Sequence, residues 1–189
     1  MKYLLLPLIS VTAVLGTACK HESAGPLPPA TQEGKNTMGC IVDGLAWTPS
    51  SSNTLGSGGQ GNPFVVRWRR TYRGYSLNMF FSSATGQAQV PTGFYFWVPD
   101  VRRPMVVTLD QTANPMLVED NPAYAECAMS KHTPQLSLLT GPDAVGELRF
   151  TRFDTVARVV AGTFQFTGRD RATGRTVHIT DGRFDMRLP

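Results

Sequence analysis

Charge is scarce in this chain. Only 17% of its 189 residues are charged, against the ~25% usual for soluble domains, which excludes a charge-rich disordered chain. Cysteine and histidine are scarce as well, with three of each. Neither His-x-x-x-His nor Cys-x-x-Cys occurs, so the close ligand spacings of a zinc site are missing and no metal or other cofactor is expected. No Gly-x-Ser-x-Gly elbow is present, which removes one serine-hydrolase signature. No segment sustains a 3.6-residue apolar period, so a helical bundle is excluded. The length allows one domain and not comfortably two. What the chain does have is a 41% apolar fraction, 10% aromatics, 18 glycines and 14 prolines. That composition fills a core while breaking the chain into many short strands.

The one long apolar run lies at the start. Lys2 precedes an uncharged stretch from Tyr3 to Ala18 that ends in small residues, the layout of a secretory signal peptide over residues 1–18. Those 16 residues fall short of the ~20 that a permanent spanning helix needs. Leu15-Gly16-Thr17-Ala18-Cys19 resembles the lipobox of bacterial lipoproteins, with the bulky residue one place further from the cysteine than is usual. The resemblance implies that the Cys19 thiol carries a diacylglycerol and that its new amine is acylated after cleavage. Two or three acyl chains at ~0.8 kcal/mol per buried methylene anchor a protein permanently. Residues 19–37 are polar and Pro-rich and read as a flexible tether, able to hold the domain up to ~50 Å from the bilayer. The expected address is the cell envelope, at the outer membrane.

Two further cysteines, Cys40 and Cys127, are separated by 86 residues. In an exported protein they either form a disulfide, worth ~4 kcal/mol in the chain-entropy account, or remain as two buried free thiols. Sequence leaves both open. The formal charge is +4, and 14 of the 18 basic residues are arginine. The excess is too small to imply nucleic acid, and it suits anionic polysaccharide or lipid headgroups.

Residues 38–189 read as a single β-rich domain. Asp43-Gly44 is a hairpin turn between two short strands. Phe64, Val66, Trp68 and Tyr72 alternate with Arg67, Arg69 and Thr71, and Tyr75, Leu77, Met79 and Phe81 alternate with Ser76, Asn78 and Phe80, which predicts a hairpin. Further strands are expected at 93–98, 105–109, 123–129, 146–153, 162–167 and 176–180. Gln135–Leu139 is ambiguous, and Thr155–Val160 is a possible helical turn. Asp181-Gly182 reads as a second hairpin turn, with Phe184, Met186 and Leu188 inward and Arg183, Asp185 and Arg187 facing water. About ten strands spaced by turns predict an all-β antiparallel sandwich or barrel.

Leu27–Pro49, with its Cys40-Ile41-Val42-Asp43-Gly44-Leu45-Ala46-Trp47 core, and Gly162–Thr167 leading to Ile179–Asp185 resemble a family of Bacteroidota lipoproteins of unknown function, DUF6252. The two stretches bracket the mature chain, while residues 50–145 carry no matching motif. The resemblance implies a β-rich, lipid-anchored envelope protein. It implies no activity.

Candidate chemistry is sparse, and no catalytic residue is singled out. Gly56-Ser57-Gly58-Gly59-Gln60-Gly61 matches a dinucleotide fingerprint in letters, but Asn62-Pro63 and a strand follow where a helix is required. His132 and His178 lie in a loop and on a polar strand face, and Glu119-Asp120 reads as part of a turn. The patch with most functional character is Arg67, Trp68, Arg69, Arg70 and Tyr72, the composition of a binding hot spot for a glycan or anionic ligand. The plain alternative puts Trp68 and Tyr72 in the core with the arginines in water. The favoured expectation is therefore a lipid-anchored, non-catalytic module that binds or scaffolds a glycan or protein partner. The alternatives are an envelope hydrolase built on carboxylates such as Asp154, Asp181 and Asp185, and a structural subunit of an outer-membrane assembly.

Overall fold

The structure, a computed structural model, describes residues 26–51, 62–84, 90–117, 119–130 and 135–189. The described chain is all-β. Its strands are β1 (Thr37–Val42), β2 (Leu45–Trp47), β3 (Phe64–Thr71), β4 (Gly74–Ser82), β5 (Gly93–Val98), β6 (Met105–Leu109), β7 (Tyr124–Met129), β8 (Leu136–Leu139), β9 (Gly146–Asp154), β10 (Val159–Arg169) and β11 (Thr176–Arg187). The lipid signal at Cys19 and the glycine-rich segment at 56–61 lie outside the described residues, as does His132.

All strand pairs are antiparallel, in the order β2-β1-β11-β10-β8-β7-β5-β4-β3, with β9 and β6 branching from β10. The branch explains the curl. From Val159 to Phe166 β10 pairs with β9, but at Arg169 it pairs with Leu139 of β8. One half-sheet (β6-β9-β10-β11-β1-β2) thus folds over the other (β8-β7-β5-β4-β3); Ser50, just past β2, also bridges to Ser83, just past β4, and the strands themselves join at the β10–β8 corner. Gly168 stands at that corner, where a Cβ would lie 3.0 Å from the Leu138 carbonyl oxygen and 3.1 Å from its Cβ.

Period-two patterning fills the space between the halves. Leu77, Met79, Phe81, Phe94 and Phe96 are buried on one side, and Leu148, Phe164, Phe166, Ile179 and Phe184 on the other. Aromatic rings join them: Phe96 meets Phe164 at 4.9 Å and Phe166 at 5.9 Å, and Trp47 meets Phe94 edge-on at 4.7 Å. Such pairs contribute ~1 kcal/mol each beyond the area they bury.

Four expectations are changed or decided. Asp181-Gly182 is no hairpin turn: β11 runs unbroken through it, and the ladders on both sides shift register there, with Asp181 at φ 51°. The pair is a bulge in a central strand, unlike Asp43-Gly44, where φ values of 46° and 87° make the expected hairpin turn. Thr155–Arg158 forms a turn, and Val159-Val160 already belong to β10. Leu136–Leu139 is a strand.

The fourth change concerns Asp185 and the tether. Asp185 is 1% exposed rather than on a wet face. Its carboxylate accepts hydrogen bonds from the Thr31 hydroxyl (2.6 Å) and from the backbone N–H groups of Glu33 (3.0 Å), Gly34 (2.6 Å) and Lys35 (3.3 Å). Arg152 donates to the Gln32 carbonyl at 2.6 Å. Residues 31–35 are therefore a strap docked on the domain, and a free tether does not extend to residue 37. The three successive N–H groups converge on one anionic acceptor, which is why a buried carboxylate is tolerated here.

Candidate functional site

The outward side of β3, β4, β5 and β7 collects the chemistry. Strand register sets its rows: Arg67 lies opposite Asn78, Asn78 opposite Trp97, and Trp97 opposite Tyr124. The next row is Val65, Phe80, Tyr95 and Glu126, and Arg69 lies opposite Ser76. Alternation dictates this face, because Phe64, Val66 and Trp68 on the same strand turn to the core.

Phe80 stands 40% exposed on this face. It is seated over Gly93, where a Cβ would come within 2.8 Å of the Phe81 carbonyl oxygen and 3.4 Å of the Phe80 ring. Tyr95 is half-buried beside it and donates its hydroxyl to Asn78 Oδ1 at 2.5 Å. Burial pushes the Tyr95 phenol up and Glu126 adds to the rise, while Arg69 and Arg67 oppose it; both guanidiniums are thus electrostatic neighbours of the ring. Burial likewise raises Tyr124. Arg69 has Glu119 at 3.9 Å, whereas Arg67 has no ion pair among the described residues. The Asn78 amide nitrogen is enclosed and without a hydrogen-bond partner among the described residues.

A second apolar cluster, Trp97, Tyr124 and Leu139 with Ala113 of the connection after β6, lies on the same face beside residues 110–117 and 119–123. Asn121, 2% exposed, ties those residues together: its side chain accepts from Asn114 N at 2.8 Å and donates to the carbonyls of Asn114 and Leu117, and its own carbonyl accepts the Trp97 indole N–H at 3.3 Å. The aromatic face therefore divides into a covered end around Trp97 and an open end around Phe80.

The predicted hot spot is split by this geometry. Arg67 and Arg69 share the open face. Trp68 packs into the core, stacked on Tyr75 at 4.6 Å and edge-on to Phe153 at 5.7 Å, with its indole N–H on the Val101 carbonyl. Arg70 projects from the core-side register, opposite Tyr75 and exposed at the strand end. Tyr72 is 67% exposed at the β3–β4 turn, so it belongs to neither the core nor the face; its hydroxyl donates to Asp120, which Arg73 also contacts at 3.1 Å. Phe80, Tyr95 and Asn78 are the members that reading the sequence missed. The available signal was a large aromatic, Phe80, at an outward position of an otherwise polar row.

Cys40 and Cys127 are free and buried here, one on β1 and one on β7, from opposite halves of the fold. Burial raises both thiols well above their ordinary value, so neither is poised as a nucleophile. The carboxylates proposed for hydrolysis are engaged elsewhere. Asp154 caps the following turn through Val156 N and Ala157 N and pairs with Arg152 at 2.8 Å; that pairing first, then the backbone bonds, hold it below the usual carboxylate range. Asp185 holds the strap. Asp181 lines a groove of about 460 Å³ with Glu147, Gln165 and Arg183. Among the described residues no group of three or more His, Cys, Asp or Glu side chains is placed to hold a metal ion.

Comparison with known proteins finds no significant match to any family model, curated protein or solved structure. The resemblance to the Bacteroidota lipoproteins rests on the motifs alone.

Proposed function

We propose that this chain is a lipid-anchored protein of the bacterial cell envelope, of the DUF6252 kind, tethered to the outer membrane through Cys19. Its open Arg67–Arg69–Phe80–Tyr95 face binds an acidic glycan without catalysing a reaction on it. The observation that carries this reading is the placement of two arginines beside a half-exposed aromatic ring on one sheet face. Phe80 and Tyr95 offer apolar faces for the C–H side of a sugar ring. Arginine presents a planar fork that matches a carboxylate or sulfate, and it is less strongly hydrated than lysine, so less is lost on contact. Arg67, with no ion pair among the described residues, has no protein carboxylate to give up on binding.

The test is a glycan array carrying uronate-containing, sulfated and neutral glycans. The protein is expected to retain the acidic ones and ignore the neutral ones. Arg67→Glu is expected to weaken binding by at least about tenfold, the worth of one charge-assisted contact of ~1.5–3 kcal/mol, and Phe80→Ala by about fivefold, from a lost stacking contact of ~1 kcal/mol. The unfolding midpoint should barely move for Arg67→Glu, whose side chain is exposed, while Phe80→Ala, which removes a ring 40% exposed, is expected to cost ~1 kcal/mol. Absence of any acidic ligand, or a reversed charge at residue 67 that leaves binding unchanged, would contradict the assignment.

A further inference from the structure

The end of the domain beside the covered part of the aromatic face carries a feature that glycan binding does not use. Asn114-Pro115-Met116-Leu117 forms a tight turn in which the Asn114 side chain accepts from Met116 N at 3.1 Å and its carbonyl accepts from Leu117 N at 2.9 Å. Asn121 underpins the turn from within the protein, so the tip is held firmly. Yet that tip places Met116 89% and Leu117 50% exposed, with Tyr72 67% exposed on the adjoining β3–β4 turn. The two turns are linked, since Asp120, four residues past Met116, accepts from Tyr72 and Arg73. A turn with satisfied backbone and two large apolar side chains in water marks a contact surface.

Its surroundings are basic. Arg70 and Arg73 lie on β3 and its turn; Arg102 packs over the Tyr75 ring at 5.6 Å, close beside Gly74, and Arg103 follows it. Counted with Arg69, five exposed arginines face three carboxylates there, Asp100, Glu119 and Asp120, which leaves a surplus of two positive charges. An apolar tip, an interfacial tyrosine and surrounding arginines together make the physical signature of attachment to an anionic bilayer surface. Docking of residues 31–35 strengthens the case. Only 11 residues separate Cys19 from Thr31, so a lipid anchor at Cys19 would keep the domain within ~40 Å of the bilayer.

We infer that Met116, Leu117 and Tyr72 insert among the headgroups of an anionic membrane, with Arg70, Arg73, Arg102 and Arg103 at the phosphates. Contact at this end sets the orientation in which the anchored domain presents its Arg67–Phe80 face. The inference rests on the envelope reading for its setting, but its test uses protein without a lipid anchor. The chain beginning at Lys20 retains every residue of the core. It is mixed with vesicles of phosphatidylcholine alone and of phosphatidylcholine with phosphatidylglycerol in equal parts, and bound protein is measured by co-sedimentation.

Wild type is expected to sediment with the mixed vesicles, weakly or not at all with the neutral ones, and less in 0.5 M salt, a concentration several times that at which the screening length is about 10 Å. Met116→Ser with Leu117→Ser should cut vesicle binding at least tenfold while leaving the unfolding midpoint in place. Arg67→Glu, on the glycan face, should leave vesicle binding within about twofold, so failure of one assignment is separable from failure of the other. Wild type that ignores the mixed vesicles, or a double serine variant that binds them as well as wild type does, would overturn the inference. The first result would point instead to a protein partner at this tip.

Discussion

Asp185→Ala is expected to lower the free energy of unfolding by about 3 kcal/mol and to release the strap, because it removes the single acceptor shared by four donors. Urea denaturation gives the first number. Limited proteolysis gives the second, since cleavage within residues 26–36 should accelerate well beyond the global loss of stability. Asp185→Asn should fall between, because the amide keeps one acceptor oxygen but loses the charge that strengthens each bond. The same carboxylate makes stability depend on pH. Burial alone would raise its pKa, but the hydrogen bonds from Thr31, Glu33, Gly34 and Lys35 outweigh burial and hold it below the usual value. A carboxylate with a depressed native pKa contributes fully above the unfolded value of about 4, and the contribution disappears as pH falls through the native one. Wild type should therefore lose more stability than Asp185→Asn does between pH 6 and pH 3. Equal losses would show that the strap is not held through the charge.

Phe96→Ala is expected to cost about 4 kcal/mol, the upper part of the range for truncating a buried aromatic. Phe96 is 0% exposed and meets Phe81 on its own half-sheet at 6.1 Å, and Phe164 and Phe166 on the opposite one at 4.9 and 5.9 Å. Among the described residues the backbone joins the two half-sheets at few places, the β10–β8 corner and the Ser50–Ser83 bridge, so packing between their faces must supply most of the cohesion. Phe96→Leu should recover more than half of the loss by refilling the space. A loss below ~1 kcal/mol for the alanine variant would contradict a core shared between the halves.

The elements legible in the sequence were those whose signal is local. Leu77, Met79 and Phe81 announce a strand and its buried side, and Asp43-Gly44 announces a turn whose two positive φ values it then adopts. Asp181-Gly182 has the same letters and a different outcome. It lies between two partner strands, β10 and β1, and Gly182 approaches the Phe164 ring so closely that a Cβ would sit 2.4 Å from it. No dipeptide reports what flanks it. Asp185 fails for a related reason: alternation points it outward correctly, but the surface it reaches is covered by a segment about 150 residues earlier. The candidate-site residues divided in the same way. Arg67 and Arg69 were legible as a polar row on β3, while their meeting with Phe80 and Tyr95 depends on the register of three strands. Tyr72 continued the alternation by letter, but the strand had already ended at Thr71.

The proposed attachment through Cys19 underlies both proposed surfaces, because it would set which ligands and which lipids the domain can meet. Cells expressing the full chain, grown with labelled palmitate, test it directly. The labelled protein should fractionate with membranes, and Cys19→Ser should lose the label and move to the soluble fraction. Label and membrane association that survive the serine substitution unchanged would contradict the account.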